Sequence, residues 1–99
     1  MFLIDLSLNN AELYADCDIE TVAGRANLKT PVAKAVEVVG TNINNIVKNV
    51  PVEQRDGVTL TGPMAVWSYL IVFHAVVHSF CKVYYDDGKG TPVLIAAHG

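Results

Sequence analysis

The residues that could bind an anion lie at the junction between two segments of the chain. A β-branched run at residues 58–61 is followed by Gly62 and Pro63, and then by a long apolar segment almost without charge. This order predicts a strand, a tight turn and a buried helix with Pro63 at its first position. The free N–H groups and the positive dipole end of such a helix favour a phosphate group. A plain connector capped by Thr61 fits the same residues, and spacing alone leaves both interpretations open.

Asp86, Asp87 and Lys89 form a second polar group, in a glycine-containing turn after the next predicted strand. A strand, a helix and a strand in succession predict two parallel strands joined by a right-handed crossover. Their carboxyl ends then lie on one edge of the sheet, where open α/β sheets bind ligands. At this edge Lys89 could pair with a phosphate, and Asp86 could hold a metal ion or orient an attacking hydroxyl.

The three histidines are expected elsewhere. His74 and His78 are four residues apart and share a helix face. His98 is expected near the start of the strand that begins at Cys81, roughly 20 Å from Asp86 and near His78. A histidine pair without the glutamate of a metalloprotease motif fits a core position as well as a metal site. A site that uses both groups must therefore be shared between subunits.

The periodicity of the apolar residues assigns the elements that position these groups. The expected elements are strands at 2–8 and 12–19, a helix at 31–50, a strand at 58–61, a helix at 63–80, and strands at 81–85 and 92–97. Thr30 has the position of an N-cap, and Pro31 that of the first helical residue. The first two strands are expected to form a hairpin. The order β-β-α-β-α-β-β predicts a single domain, residues 1–99, of the α/β class: an α+β sandwich of two helices over one mixed sheet.

Composition narrows the class of protein. Of the 99 residues, 52% are hydrophobic and 17% charged, so we expect part of the apolar surface to lie against another subunit. The formal charge of −3 argues against sequence-blind binding to a nucleic-acid backbone, including DNA. Cys17 and Cys81 lack CxxC spacing, and the N-terminus does not resemble a secretory signal. Residues 63–77 are too short for a membrane span. These features predict a reduced, cytoplasmic protein.

The segment from Thr61 to His98 resembles a small family of CRISPR-associated proteins of type III systems, the third class of ring nuclease. The pattern of that family is a strand, Ser/Thr-Gly-Arg-x-Pro-x-Trp-Leu-Tyr, one to three helical histidines, Tyr-Asp-Pro-Arg-Leu-Gly-Gly, a short strand and Ser-His. The residues that match it in order are Thr61, Gly62, Trp67, Tyr69, His74, Tyr85, Asp86, Gly90 and His98.

The resemblance implies a ferredoxin-like subunit, a tight homodimer, and dimers that stack around cyclic tetra-adenylate and cleave it to linear products, which switches off antiviral signalling. It also implies manganese-dependent cleavage of short RNA. For such a reaction we expect His74 or His78 to act as acid or base. Asp86 would orient the attacking hydroxyl or, with His98 of another subunit, bind the metal. The expected ligand-binding residues are Thr61, Gly62, Pro63, Trp67, Asp87 and Lys89.

The chain departs from the family pattern at the residues that would carry charge. Pro63 stands in place of an arginine, Ala65 in place of a proline, and Asp87-Gly88-Lys89 in place of Pro-Arg-Leu. Two arginines are therefore missing, and Lys89 restores one charge without a bidentate geometry. Two alternatives follow: a protein that binds a cyclic oligoadenylate without cleaving it, and a structural or interaction subunit without a ligand.

Overall fold

The computed structural model describes residues 1–98. The elements in chain order are β1 (Phe2–Asp5), β2 (Ile19–Val22), β3 (Arg25–Leu28), α1 (Val32–Lys48), a short 3-10 turn (Val52–Gln54), β4 (Val58–Thr61), α2 (Val66–Val77), β5 (Lys82–Asp86) and β6 (Val93–Ala97). A four-stranded sheet has the order β1-β4-β5-β6, and β2 and β3 form a separate two-stranded sheet. Two helices packed on a mixed sheet confirm the predicted α/β class.

The main sheet is parallel over three strands. β1 pairs with β4 and β4 pairs with β5, both in parallel, whereas β6 runs antiparallel to β5 with an irregularity beside Tyr84. The predicted parallel arrangement of β4 and β5 around α2 is therefore confirmed. The three parallel strands end together, with Asp5, Thr61 and Asp86 in register. We call this side of the sheet the carboxyl edge.

The predicted N-terminal hairpin of residues 2–8 and 12–19 is wrong. β1 lies beside β4 instead, because this pairing buries Ile4 in the core. The segment after β1 folds into turns in which the Asn10 side chain donates to the Asp5 carbonyl, 2.7 Å away. Leu13 and Tyr14 are buried, and they lie in these turns and not in a strand.

The hairpin that does form consists of β2 and β3, with Val22 paired to Arg25. Ala23 and Gly24 connect the strands and both have positive φ, 53° and 74°. Positive φ at both central residues is the requirement of a two-residue type I′ turn, whose twist matches the flanking strands. The hairpin contributes only Ile19 to the contacts with the core.

Both helices begin later than the sequence predicts. Pro31 is the N-cap of α1, and the Thr30 hydroxyl instead accepts from the Asp18 N–H at 2.7 Å. Ala65 is the N-cap of α2, so the prediction of Pro63 at the first helical position is wrong. The physical reason is Gly62, whose φ of 103° turns the chain over the end of β1 before the helix starts.

The core lies between the helices and one face of the sheet. α1 contributes Ala35, Val39, Ile43 and Val47, and α2 contributes Val72 and Val76, against Ile4, Val58, Leu60 and Val83 of the strands. At Gly40 a methyl group would lie 3.9 Å from the Ile71 side chain, so the two helices pack closely there. Within residues 1–98 neither helix is long and apolar enough to span a bilayer.

We predict that Gly62→Ala lowers the free energy of unfolding by roughly 2–3 kcal/mol, because it combines a disfavoured φ with a steric collision. The added Cβ would meet the Asp5 carboxylate and would lie 2.9 Å from the Ser7 nitrogen. Gly88→Ala changes a glycine with φ of 82° and no neighbour within 4 Å, so it isolates the conformational cost, about 1 kcal/mol.

Gly90→Ala is the control, because its position has neither a positive φ nor a close neighbour. Urea unfolding followed by circular dichroism measures all three variants. Equal losses for Gly62→Ala and Gly88→Ala would contradict the proposed close contact between Gly62 and the end of β1.

Candidate functional site

The carboxyl edge places two carboxylates on either side of a threonine. Thr61 lies between Asp5 and Asp86 in register, so the Cα atoms of the two aspartates are about 10 Å apart at the usual strand spacing. The Thr61 hydroxyl donates to the Asp86 carbonyl at 2.9 Å. This bond joins two residues that are 25 positions apart, and it fixes the end of β4 against the end of β5.

Asp5 is a site residue that sequence reasoning missed. One carboxylate oxygen accepts from the Ser7 N–H at 2.8 Å and the other from the Ser7 hydroxyl at 3.0 Å. Gly62 lies directly against this carboxylate. The available sequence signal was a run of alternating apolar residues, β1, whose last residue is Asp5. The last residue of a parallel strand lies at the carboxyl edge. Assigning β1 to a hairpin concealed it.

The loop after β5 holds the predicted polar residues in defined positions. Asp86 accepts from the Gly88 N–H at 2.7 Å, and Asp87 accepts from the Lys89 N–H at 2.8 Å. Asp86 is half-buried, whereas Asp87 and Lys89 are exposed. The loop therefore presents one cation and two carboxylates beside Thr61, as the sequence predicts for this edge.

Tyr69 connects α2 to the carboxyl edge. Its hydroxyl donates to the Gly62 carbonyl at 2.6 Å, and its ring packs edge-on against Tyr85 with centroids 5.5 Å apart. Burial, followed by the neighbouring Tyr85 and Asp5, raises the pKa of Tyr69 to about 12. Tyr69 therefore stays a hydrogen-bond donor at neutral pH, and three of the residues that carry the family resemblance contact one another.

Trp67 and Pro63 occupy different surroundings. Trp67 is half-buried and packs against the hydrophobic core. Pro63 lines an open depression of about 420 Å³ between the tip of the β2–β3 hairpin and the carboxyl edge. We call it the hairpin depression, and its lining includes Ser7, Asn9, Gly24, Arg25, Pro63 and Met64.

Arg25 is the second residue that sequence reasoning missed. It is the first residue of β3 and lies beside Pro63 only because the hairpin folds over the end of the sheet. The sequence signal for this hairpin was the alternation of polar and apolar residues on either side of Ala23 and Gly24. Placing the second strand at residues 12–19 concealed that alternation.

The histidines form a separate group that we call the histidine pole. His78 and His98 line one depression of about 630 Å³, together with Arg55. The rings of His74 and His78 lie edge-on with centroids 5.3 Å apart. All three histidines are exposed, so the interpretation of core histidines is wrong, and the predicted proximity of His78 to His98 is confirmed.

Asp86 and His98 lie at opposite ends of β5. The His98 N–H donates to the Cys81 carbonyl at 2.6 Å, which fixes His98 beside the start of the strand that Asp86 ends. Cys81 and Asp86 are five positions apart along the strand, about 16 Å at the usual rise. Among residues 1–98 no three histidine, cysteine or acidic side chains are placed to hold a metal ion. The donors of one chain do not fit a manganese ion.

No protein-family model, no curated protein and no solved structure matches this chain.

We predict that Tyr69→Phe lowers the free energy of unfolding at pH 7 by roughly 1 kcal/mol, since the hydrogen bond to Gly62 is lost. The pH dependence should also change. The unfolded tyrosine ionises near its ordinary pKa of 10 and the folded one near 12, so the wild-type chain loses stability as the pH rises through this interval.

Tyr69→Phe should lose less stability over the same pH interval. Urea unfolding at several pH values, with tyrosinate absorbance at 295 nm, measures both effects. Tyr84→Phe is the control for removing a hydroxyl, because the Tyr84 hydroxyl makes no hydrogen bond within the described chain. An unchanged pH dependence in Tyr69→Phe would show that Tyr69 is not the protected group.

Proposed function

We propose that the protein is a CRISPR-associated ring nuclease that binds cyclic tetra-adenylate and cleaves it to linear products, ending the type III antiviral signal in the cytoplasm. The observation that supports this most is the contact network at the carboxyl edge. Thr61 bonds to Asp86, and Tyr69 bonds to Gly62 and packs on Tyr85. Residues that match the family pattern at distant positions are thus neighbours in space.

The chemistry of ring opening suits the residues available. In an in-line reaction the ribose 2′-oxygen forms a bond to the adjoining phosphorus while the bond to the 5′-oxygen breaks. The 2′-hydroxyl gives its proton to a base, the 5′-oxygen receives one from an acid, and a 2′,3′-cyclic phosphate remains. We assign His78 or His74 as the base or acid and Asp86 as the group that orients the hydroxyl. Lys89 stabilises the negative charge on the phosphoryl oxygens.

The distance between the carboxyl edge and the histidine pole requires two subunits for this reaction. A strand-length separation keeps Asp86 from His98 of its own chain and from His78 in the same depression, so the proposed site uses Asp86 of one subunit with histidines of a second. The same proposal includes a manganese ion that Asp86 of one subunit and His98 of the partner subunit would bind. It also includes the stacking of dimers around the ring. The chain shares with a ferredoxin-like subunit two helices on a four-stranded sheet, but β1, β4 and β5 are neighbours and parallel, as in consecutive strand-helix-strand units and not as in the split β-α-β arrangement.

The exposed apolar surface supports a homodimer. β6 is an edge strand without a charged residue, and Val93, Leu94 and Ile95 are 59%, 49% and 54% exposed. Such edges are normally blunted by charge or covered. Ile95 and the 62% exposed Leu70 also line an apolar groove of about 320 Å³ between β6 and α2. The accessible surface of 6074 Å² exceeds the value for a monomer of this mass, about 5,500 Å².

Two observations favour the alternative of binding without cleavage. α2 begins at Val66, so the N–H groups of its first turn do not lie at Gly62. The carboxyl edge also carries Asp5, a carboxylate that repels phosphate unless a cation or proton compensates it. A protein with this edge could hold a ring through other contacts and leave it intact.

We predict that the wild-type protein converts radiolabelled cyclic tetra-adenylate to linear product and that Asp86→Asn and His78→Ala each reduce the rate by at least 100-fold, the usual contribution of a positioned acid or base. Glu37→Gln, a change on the exposed side of α1, is the control and should retain the wild-type rate. His74→Ala tested in parallel decides which helical histidine acts. The readout is a denaturing gel, with and without manganese.

An intact ring that shifts on a native gel would instead identify a binding protein. If the ring is neither cleaved nor shifted on the native gel, cyclic tetra-adenylate is not the ligand.

We also predict that the purified chain has twice the mass of the 10.7 kDa subunit and that Ile95→Lys converts it to a monomer, because a charge on β6 opposes strand pairing. Leu70→Lys should act in the same way from α2. The control is Val22→Lys, a position of equal exposure, 53%, on the separate hairpin. Light scattering after size exclusion gives the masses, and circular dichroism verifies folding. A monomeric wild-type chain, or a dimeric Ile95→Lys chain, would contradict this interface.

A further inference from the structure

Arg25 is the cation of the hairpin depression, and its charge has no partner within residues 1–98. The ion pairs of this part of the chain join the N-terminal amine to Asp56 and Lys29 to Glu20. The Arg55 guanidinium donates to the carbonyls of Val47 and Val50. The Arg25 side chain makes neither an ion pair nor a hydrogen bond within residues 1–98, although it lies in a depression beside polar residues. An arginine in this situation has all its donors free for a ligand.

We infer that the hairpin depression is a phosphate-binding site in which Arg25 binds a phosphate group of the nucleotide ligand. The assignment of the phosphate to a nucleotide rests on the proposed function, whereas the anion site itself rests on the geometry. The guanidinium fork matches two oxygens of one phosphate, a pairing that lysine cannot reproduce.

The hairpin fixes the position of Arg25. The turn of Ala23 and Gly24 holds Arg25 opposite Val22 in β3, and Ala23 adopts a φ of 53° that residues other than glycine seldom use. At the other end of the hairpin, the Asp18 carbonyl accepts from the Lys29 N–H at 2.7 Å. A two-stranded ribbon is marginally stable alone. This one is fastened at its base and extends its tip over the carboxyl edge.

The lining suits an anion next to the proposed catalytic edge. Both carboxylate oxygens of Asp5 accept hydrogen bonds from Ser7, so the Ser7 hydroxyl proton is already used. The exposed Asn9 side chain, in contrast, makes no hydrogen bond within residues 1–98. Asn9 can add a second donor to a phosphate bound by Arg25. The depression of about 420 Å³ accommodates one phosphodiester with part of its sugar, and a whole tetranucleotide ring would extend beyond it.

The site also accounts for a departure from the family pattern. Pro63 replaces the arginine that would follow Gly62, and the same Pro63 lines the hairpin depression beside Arg25. Arg25 of the hairpin therefore supplies a positive charge to the depression that Pro63 lines.

The test is a titration of the isotope-labelled protein with pyrophosphate, followed by amide chemical shifts. We expect shifts at residues 7–9 and 24–26, and we expect Arg25→Gln to weaken pyrophosphate binding about 10- to 100-fold, the effect of losing a charged hydrogen-bonded pair. Arg25→Lys should give an intermediate affinity. Lys29→Gln, which removes a charge just beyond the other end of β3, should stay within about twofold of wild type.

The same variants are then titrated with cyclic tetra-adenylate at several salt concentrations. Arg25→Gln should weaken binding and reduce the slope of log K against log salt by about 1, the loss of one phosphate contact. Pyrophosphate shifts elsewhere, or unchanged affinity in Arg25→Gln, would overturn the phosphate site. If pyrophosphate binds through Arg25 while the wild-type chain neither binds nor cleaves the ring, the phosphate site stands and the proposed function fails.

Discussion

The close contact between Gly62 and the end of β1 is the constraint on which the rest of the structure depends. Gly62 adopts a φ of 103° directly against Asp5 and Ser7, and no side chain fits there. This contact sends the chain across the edge of the sheet before α2 begins. It also brings the carbonyl of Gly62 to Tyr69. Everything assembled at the carboxyl edge therefore depends on one residue without a side chain.

Local sequence patterns predicted the chain from α1 onward well. The strand at 58–61, the amphipathic helix and the two closing strands occur within a few residues of the expected positions, because alternation and helical spacing report burial directly. The helix start was misplaced, since proline at the first helical position is a statistical preference that a glycine turn at Gly62 overrides. The polar turn after β5 was correctly placed at the carboxyl edge.

Long-range pairing explains what the sequence did not reveal. Residues 2–5 alternate as any edge strand does, and nothing local distinguishes a hairpin partner at 12–19 from a parallel partner 56 positions away at β4. Once β1 was misassigned, Asp5 could not be recognised as a carboxyl-edge residue. Arg25 was missed for the same reason, because the hairpin that carries it is placed over the edge by tertiary contacts alone.

In the proposed assembly, a subunit interface joins two groups of residues that are separated within one chain. Asp86 and Lys89 lie at the carboxyl edge, next to the hairpin depression with Arg25. His78 and His98 lie at the histidine pole, a strand length away. The proposed phosphate site and the proposed acid–base residues therefore lie in different groups of one chain. An exposed apolar edge strand on the same sheet gives the chain a means of self-association that could bring the two together.

The most direct test of this shared site is complementation between two inactive variants. Asp86→Ala and His78→Ala are purified separately, mixed, allowed to exchange subunits and assayed for cleavage of cyclic tetra-adenylate. In a heterodimer of a two-fold assembly, one composite site carries both changes and the other carries neither. We expect the mixture to regain about a quarter of the wild-type rate, because half of the dimers are heterodimers and half of their sites are intact. If each variant is inactive and the mixture stays inactive although heterodimers form, the shared site is contradicted.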